Sequence, residues 1–339
     1  MFEIFEMEMP ELGKMRKIRV WLPEAYQANP EQRFPVMYMH DAQNLFDVKD
    51  AAYGMIWDAH TAVQGLIDSQ NLVDTQNPVD SQNPVDTQNP VDTQNRIDAR
   101  GSIDAGTGFS GCLIVGIDNA PGLERLNEYS PWASLPAKAL KDLESVEGDI
   151  GGEGEAYGRF IVKSLKPFID QRYRTLSSRE HTTVVGSSMG GFISLYLGSE
   201  YPEVFSKVGA FSTAVWFEED RLLKQLEKVN PALETRWYLD VGTEETSNDS
   251  ITDFNTRYIN GSINVVEKLK ACGVPEARIR IVLDEGAVHN ELAWAKRLPA
   301  ALTWLFDLNR KRSRRFNHTI SSVSLPNCLQ TNNYKLDRV

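Results

Sequence analysis

Hydrophobic and polar positions along this chain fall into short runs whose period keeps switching. Met15-Arg16-Lys17-Ile18-Arg19-Val20-Trp21-Leu22 alternates with a period of two and reads as a strand, and Phe34-Pro35-Val36-Met37-Tyr38-Met39 reads as another. Residues 112–116 and 182–185 are unbroken apolar runs, the pattern of strands buried on both faces. Residues 207–211, 237–241 and 279–283 continue the series, and helical spacing marks 157–169, 190–197, 221–229 and 256–271. Strands alternating with helices predict an α/β chain whose mainly parallel central sheet is covered by helices on both faces. In such a sheet the chemistry gathers beyond the carboxyl ends of the strands, so the residues after each strand are the ones to question.

Two stretches break this pattern. From Ile67 the chain reads IDSQNL, VDTQNP, VDSQNP, VDTQNP, VDTQNR, a hexad repeat that ends at Arg96. One Val or Ile per copy buries too little to offset ordering entropy, and Asn-Pro steps oppose helix, so 67–96 is expected to be a mobile surface loop inserted in the domain. Residues 310–339 open with Arg310, Lys311, Arg312, Arg314 and Arg315 and then show no apolar period; a basic, polar, disordered tail is expected there. The remainder of 1–309 is expected to form one α/β domain.

Composition narrows the function classes. Apolar residues at 41% and charged residues at 24% are ordinary for a globular protein. With 36 Lys and Arg against 47 Asp and Glu the net charge is −11, which repels phosphate backbones and anionic headgroups. No nucleic-acid or membrane partner is therefore expected. No apolar run approaches the roughly 20 residues of a membrane span. The opening Met1-Phe2-Glu3-Ile4-Phe5-Glu6 lacks a basic and then apolar leader, so a cytoplasmic location is expected. Cys112, Cys272 and Cys328 are widely spaced and the 5 histidines are scattered, so neither a disulfide framework nor a metal site is expected.

The strand at 182–185 runs into Gly186-Ser187-Ser188-Met189-Gly190-Gly191 and then into a helical stretch. Gly-x-Ser-x-Gly between strand and helix is the nucleophile-elbow pattern: small neighbours let the turn tighten and lift the Ser188 hydroxyl above the sheet. The helix that starts there aims free N–H groups, that of Met189 among them, at developing negative charge. On this plan the order along the chain is Ser, acid, His. Only His289 and His318 follow Ser188, and His318 falls in the expected tail, which leaves His289 as the base. The acid should follow the strand at 237–241. Glu245 stands three residues after Gly242, a spacing hydrolases often use, while Glu244 and Asp240 remain alternatives. A second oxyanion donor should come from the loop after an early strand, where a turn in His40-Asp41-Ala42-Gln43 points the Gln43 N–H above Ser188.

Several further segments carry a family likeness. Tyr38-Met39-His40-Asp41-Ala42-Gln43-Asn44-Leu45-Phe46-Asp47, Gly116-Ile117-Asp118-Asn119, Arg125-x-x-Glu128-Tyr129-Ser130-Pro131-Trp132 and His289-Asn290-Glu291-x-x-Trp294 join the elbow in resembling the “putative esterase” family of α/β-hydrolases. The resemblance runs from about Met15 to Leu308 and implies an α/β-hydrolase fold, Ser188 and His289 as catalytic, and Gln43 and Met189 as oxyanion donors. It also implies a pocket lined by Trp57, Asp58, Asn119, Arg125, Glu128, Tyr129, Trp216 and Trp294. Arg125 either clamps an anionic substrate group or braces its loop by pairing with Glu128. Ala42 stands where relatives usually carry glycine, and a left-handed backbone there would strain the oxyanion turn. The expected activity is hydrolysis of a small-molecule carboxylic ester through an acyl-enzyme, with no cofactor. Acyl transfer to an alcohol and a non-catalytic binding role on the same scaffold are the alternatives.

Overall fold

The structure, a computed structural model, describes residues 1–76, 109–134, 148–246 and 253–308. Eight strands form the main sheet: β1 (Phe2–Met9), β2 (Lys14–Trp21), β3 (Val36–His40), β4 (Leu113–Ile117), β7 (Thr182–Ser187), β8 (Lys207–Phe211), β9 (Arg236–Glu244) and β10 (Ile279–Val288). Two short strands, β5 (Ala133–Ser134) and β6 (Ile150–Gly151), pair separately. The order across the sheet is β1-β2-β4-β3-β7-β8-β9-β10. β1 and β2 run antiparallel, and from β4 to β10 every neighbour is parallel. The parallel strands therefore deliver their carboxyl ends to one edge.

The helices are α1 (Glu24–Ala28), α2 (Ala59–Gln76), α3 (Glu124–Tyr129), α4 (Gly154–Arg159, continued by a π-helical stretch Phe160–Leu165 and by Lys166–Arg172), α5 (Met189–Glu200), α6 (Glu219–Gln225), α7 (Phe254–Ala271) and α8 (Glu291–Leu305). Side-chain alternation divides the core into two layers. Val36, Tyr38, Val184, Val208, Leu239 and Val241 join the layer that includes α4, α5 and α7. Met37, Met39, Val185, Phe211 and Tyr238 face the layer that includes α2 and α8. Burial on both faces explains why these strands read as unbroken apolar runs.

The expected parallel α/β sheet is present, with three local differences. β1 adds an edge strand that periodicity does not announce, because Phe2 and Ile4 share the exposed parity with Glu6 and Glu8 while Glu3 lies on the covered one. There Glu3 accepts from Arg172 at 2.9 Å and from the Tyr173 hydroxyl at 2.8 Å. The hexad stretch is not a loop from its first residue: α2 carries it as helix from Ile67 to Gln76. The repeat has no proline before Pro78, so the Asn-Pro steps that oppose helix begin only there. The expectations for the later copies and for the tail lie outside the described residues. Among the described residues no helix is long and apolar enough to cross a membrane.

Ala42 also behaves differently from expectation. The positive φ of this turn falls on Asp41, at 57°, and Ala42 begins a 3₁₀ turn with its side chain fully buried. Alanine is thus unstrained here, and its methyl group fills the space above Gly116, where an added Cβ would lie 2.7 Å away. Gly116→Ala should therefore lower the unfolding free energy by about 1–3 kcal/mol through overpacking. Ala42→Gly in the same chain should recover part of that loss, which urea titration of the two single variants and the double variant would reveal as non-additivity.

Candidate active site

β7 ends at Ser187 and α5 begins at Met189, so a single residue, Ser188, makes the turn with φ 55° and ψ −122°. The glycines of the motif make this possible. A Cβ on Gly186 would meet the Gly190 carbonyl oxygen at 2.4 Å, and one on Gly191 would meet Thr213 Oγ1 at 2.5 Å. The strained residue is anchored on both sides: its N–H donates to the Phe211 carbonyl at 2.9 Å, and its carbonyl accepts from Phe192 at 3.1 Å and Ala214 at 3.2 Å. As the first residue of α5, Met189 has an N–H without an intrahelical acceptor.

β9 and β10 bring the expected acid, Glu245, and the expected base, His289, together at the same edge. Glu245 Oε2 lies 2.6 Å from His289 Nδ1. The other oxygen, Oε1, accepts from the Gly242 N–H at 2.6 Å and from the Ser212 hydroxyl. Burial alone would raise the Glu245 pKa; its bonds from His289, Ser212 and Gly242 outweigh burial, and the carboxyl ends below its usual range. The ionised carboxylate accepts the Nδ1 proton and leaves Nε2 as the basic nitrogen. The imidazole packs against Tyr258, with centroids 4.8 Å apart, and edge-on against Trp294 at 5.1 Å. Of the two alternative acids, Glu244 points to solvent side of the strand end and Asp240 is buried beside Arg297, 3.1 Å from its guanidinium. Ser188 and His289 are not hydrogen-bonded to each other in this structure.

The turn after β3, where an oxyanion donor is expected, is organised by one buried carboxylate. Asp41 takes a bidentate fork from Arg125, Nε to Oδ1 at 2.6 Å and Nη2 to Oδ2 at 2.9 Å, and Oδ1 also accepts from the Asn119 side chain. The Asp41 N–H donates to the Tyr129 hydroxyl at 3.1 Å. These bonds hold the 3₁₀ turn Ala42–Asn44, in which Gln43 Oε1 accepts from the Asn119 N–H at 3.1 Å. The turn leans on α5, since a Cβ on Gly190 would lie 3.1 Å from Asp41 Oδ2. It is also tied to the residues after His289 by the Asn44 amide, which donates to Glu291 Oε1 at 2.8 Å. The Gln43 N–H has no hydrogen-bond partner among the described residues.

The family model described as “Putative esterase” matches residues 114–305. The chain belongs to this family. Membership makes it a carboxylic ester hydrolase. A second model, “Trappin protein transglutaminase binding domain”, matches residues 67–95, within the hexad stretch. The uncharacterized protein YbbA of Bacillus subtilis is 28% identical over 186 residues, which cover 55% of this chain and 71% of that protein. Among solved structures, the BES protein from Bacillus cereus superposes with a TM-score of 0.62 at 19% identity, covering 90% of this chain and 95% of that one. An IroE-like serine hydrolase from Shewanella oneidensis gives 0.62 at 18% identity, covering 95% and 90%. These likenesses carry the fold, that of α/β-hydrolases.

The residues expected to line a pocket divide between several tasks. Asn119, Arg125 and Tyr129 serve Asp41, so Arg125 braces its loop but not through Glu128. Glu128 is wholly buried and pairs instead with Arg16 at 2.6 Å; it cannot line a pocket. Trp57 is buried edge-on against Phe211 and close to Trp294, with centroids 4.8 and 5.6 Å away. With Asp58 and residues of α2 and α8 it borders a cleft of about 390 Å³. Trp216 borders a different cleft of about 430 Å³ with Glu219, Asp253, Thr256, Arg257 and Asn260. Neither cleft is lined by Ser188 or His289. Sequence reading missed Ser212, although it is the first residue after β8 and the carboxyl ends of the strands were the places to look.

Just before the turn at Asp41, His40 is buried and its Nδ1 lies 2.8 Å from the Tyr157 hydroxyl. Burial, with Arg125 adding to it against the opposing pull of Asp41, brings its pKa from 6.5 down to about 4. The unfolded chain therefore binds this proton more readily than the folded one. The contribution is complete above pH 6.5 and is lost as pH falls toward 4, about 3 kcal/mol in all. Urea titrations between pH 7 and pH 4 should show a shallower loss of stability in His40→Gln than in the wild type.

Proposed function

We propose that this esterase works through a Ser188–His289–Glu245 triad and an acyl-enzyme. The observation that carries the reading is the 2.6 Å contact between His289 Nδ1 and a fully buried Glu245, at the sheet edge where Ser188 stands in a left-handed elbow. His289 Nε2 takes the Ser188 proton as the hydroxyl oxygen attacks the ester carbonyl. The contact between Ser188 and His289 closes as the substrate binds. Negative charge developing on the carbonyl oxygen is met by the Gln43 and Met189 N–H groups, neither of which is committed elsewhere. Imidazolium then gives its proton to the leaving alcohol. Water, activated by the same histidine, releases the acid and restores Ser188. Glu245 fixes the imidazole tautomer and stabilises its positive charge throughout.

The likeness to a ferulic acid esterase and to an enterobactin esterase of Shigella flexneri, whose own chain this one spans for 59% of its length, supports a small-molecule carboxylic ester as substrate. The first test is p-nitrophenyl acetate hydrolysis. Ser188→Ala and His289→Ala should fall to the buffer rate, and Glu245→Gln should lose about 10³–10⁴-fold in kcat. A wild-type rate in Ser188→Ala would refute the mechanism. Product analysis with an added alcohol should show free acid as the main product; an ester of that alcohol would instead assign acyl transfer.

A further inference from the structure

Behind the acid lies a buried cluster that the mechanism above does not use. Ser212 is fully buried, is the first residue after β8 and has φ 41°. Its Oγ lies 2.8 Å from Trp294 Nε1 and 3.0 Å from Arg297 Nη2, and it bonds Glu245 Oε1. An indole N–H and a guanidinium can only donate, so together they occupy both lone pairs of the hydroxyl. Its single proton has one direction left, toward the Glu245 carboxylate.

We infer that Ser212 is a positioning residue that locks the triad acid, through a hydroxyl whose proton Trp294 and Arg297 force onto Glu245. The inference rests on the triad reading above. With Oε1 held by Ser212 and by the Gly242 N–H, the carboxylate cannot rotate, and Oε2 is presented to His289. The same stretch of backbone also sets where the nucleophile stands. The Phe211 carbonyl, part of the peptide unit that leads into Ser212, accepts the Ser188 N–H at 2.9 Å. The Ser212 N–H donates to the Asp240 backbone carbonyl in the next strand at 2.8 Å. Ser212 thus spaces elbow and acid across β8. Trp294 adds a further link, because its N–H orients Ser212 while its ring lies edge-on to His289. Arg297 is held in turn by Asp284, at 3.2 Å, and Asp240, at 3.1 Å.

Ser212→Ala and Ser212→Gly test this against Glu245→Gln in the full chain, with p-nitrophenyl acetate as substrate. Glycine accepts a positive φ without strain, so that variant removes the hydroxyl while keeping the backbone conformation. Both Ser212 variants should lower kcat about 10- to 100-fold, the scale of a small misplacement of a catalytic group, with KM changed less than about twofold. The downfield proton signal of His289 Nδ1–H, absent or displaced in Glu245→Gln, should shift in Ser212→Gly. Wild-type kcat and an unmoved signal in both Ser212 variants, beside a crippled Glu245→Gln, overturn the inference and leave the triad standing. A raised KM with unchanged kcat overturns it too, by placing Ser212 in substrate binding. Wild-type kcat in Glu245→Gln refutes the acid assignment, and the inference falls with it.

Discussion

A carboxylate withdrawn from water keeps its charge only when donors replace the lost solvent, and the site depends on meeting that condition at Glu245. The side chain is wholly buried, yet every direction around it is supplied: His289 on one oxygen, the Gly242 N–H and the Ser212 hydroxyl on the other. The donors come from the loop after β10, from β9 itself and from the end of β8. Neighbouring parallel strands are thus stitched together at their carboxyl edge by one charge. Arg297 and Trp294, both on α8, complete the enclosure from above the sheet and connect it to the helix that follows the histidine.

Asp41 is a second solution to the same problem at β3. Its fork from Arg125 and its bond from Asn119 hold the short turn that carries Gln43. The proposed oxyanion stabilisation requires donors that need not reorganise when charge appears, and a turn pinned by a buried carboxylate and its arginine provides that rigidity. The Asn44–Glu291 bond makes the turn after β3 and the segment after His289 one mechanical unit. Three elements far apart in sequence are thereby fixed relative to each other before any substrate arrives.

A shared backbone device lies beneath both carboxylates. Asp41, Ser188 and Ser212 are each the first residue after a parallel strand, and each has a positive φ although none is glycine. A left-handed residue at a strand end turns the chain sharply, which keeps its side chain at the carboxyl edge of the sheet. Non-glycine residues persist there because hydrogen bonds on both sides over-determine the conformation. Ser188 has its N–H and carbonyl both engaged, and Ser212 has its N–H and its hydroxyl both engaged.

The alternation of apolar runs and helical spacing determines the parallel sheet, because burial on both faces leaves a mark on every residue of inner strands such as β3, β4 and β7. Gly186-x-Ser188-x-Gly190 is equally legible, since only small residues survive contacts such as that between Gly186 and the Gly190 carbonyl. Chain order and the scarcity of histidines lead to His289. The rest was decided by tertiary structure. Sequence offers Asp240, Glu244 and Glu245 within six residues; which one meets the imidazole depends on the register in which β9 and β10 pair and on what surrounds each carboxyl in the fold. Sequence spacing suggests Arg125 with Glu128 on one helical turn, yet the fold gives Arg125 to Asp41 and Glu128 to Arg16. Ser212 has no motif at all. Periodicity records which residues are hidden from water, whereas the choice of partner for a buried charge or hydroxyl is made between residues distant along the chain, and only packing brings them within reach.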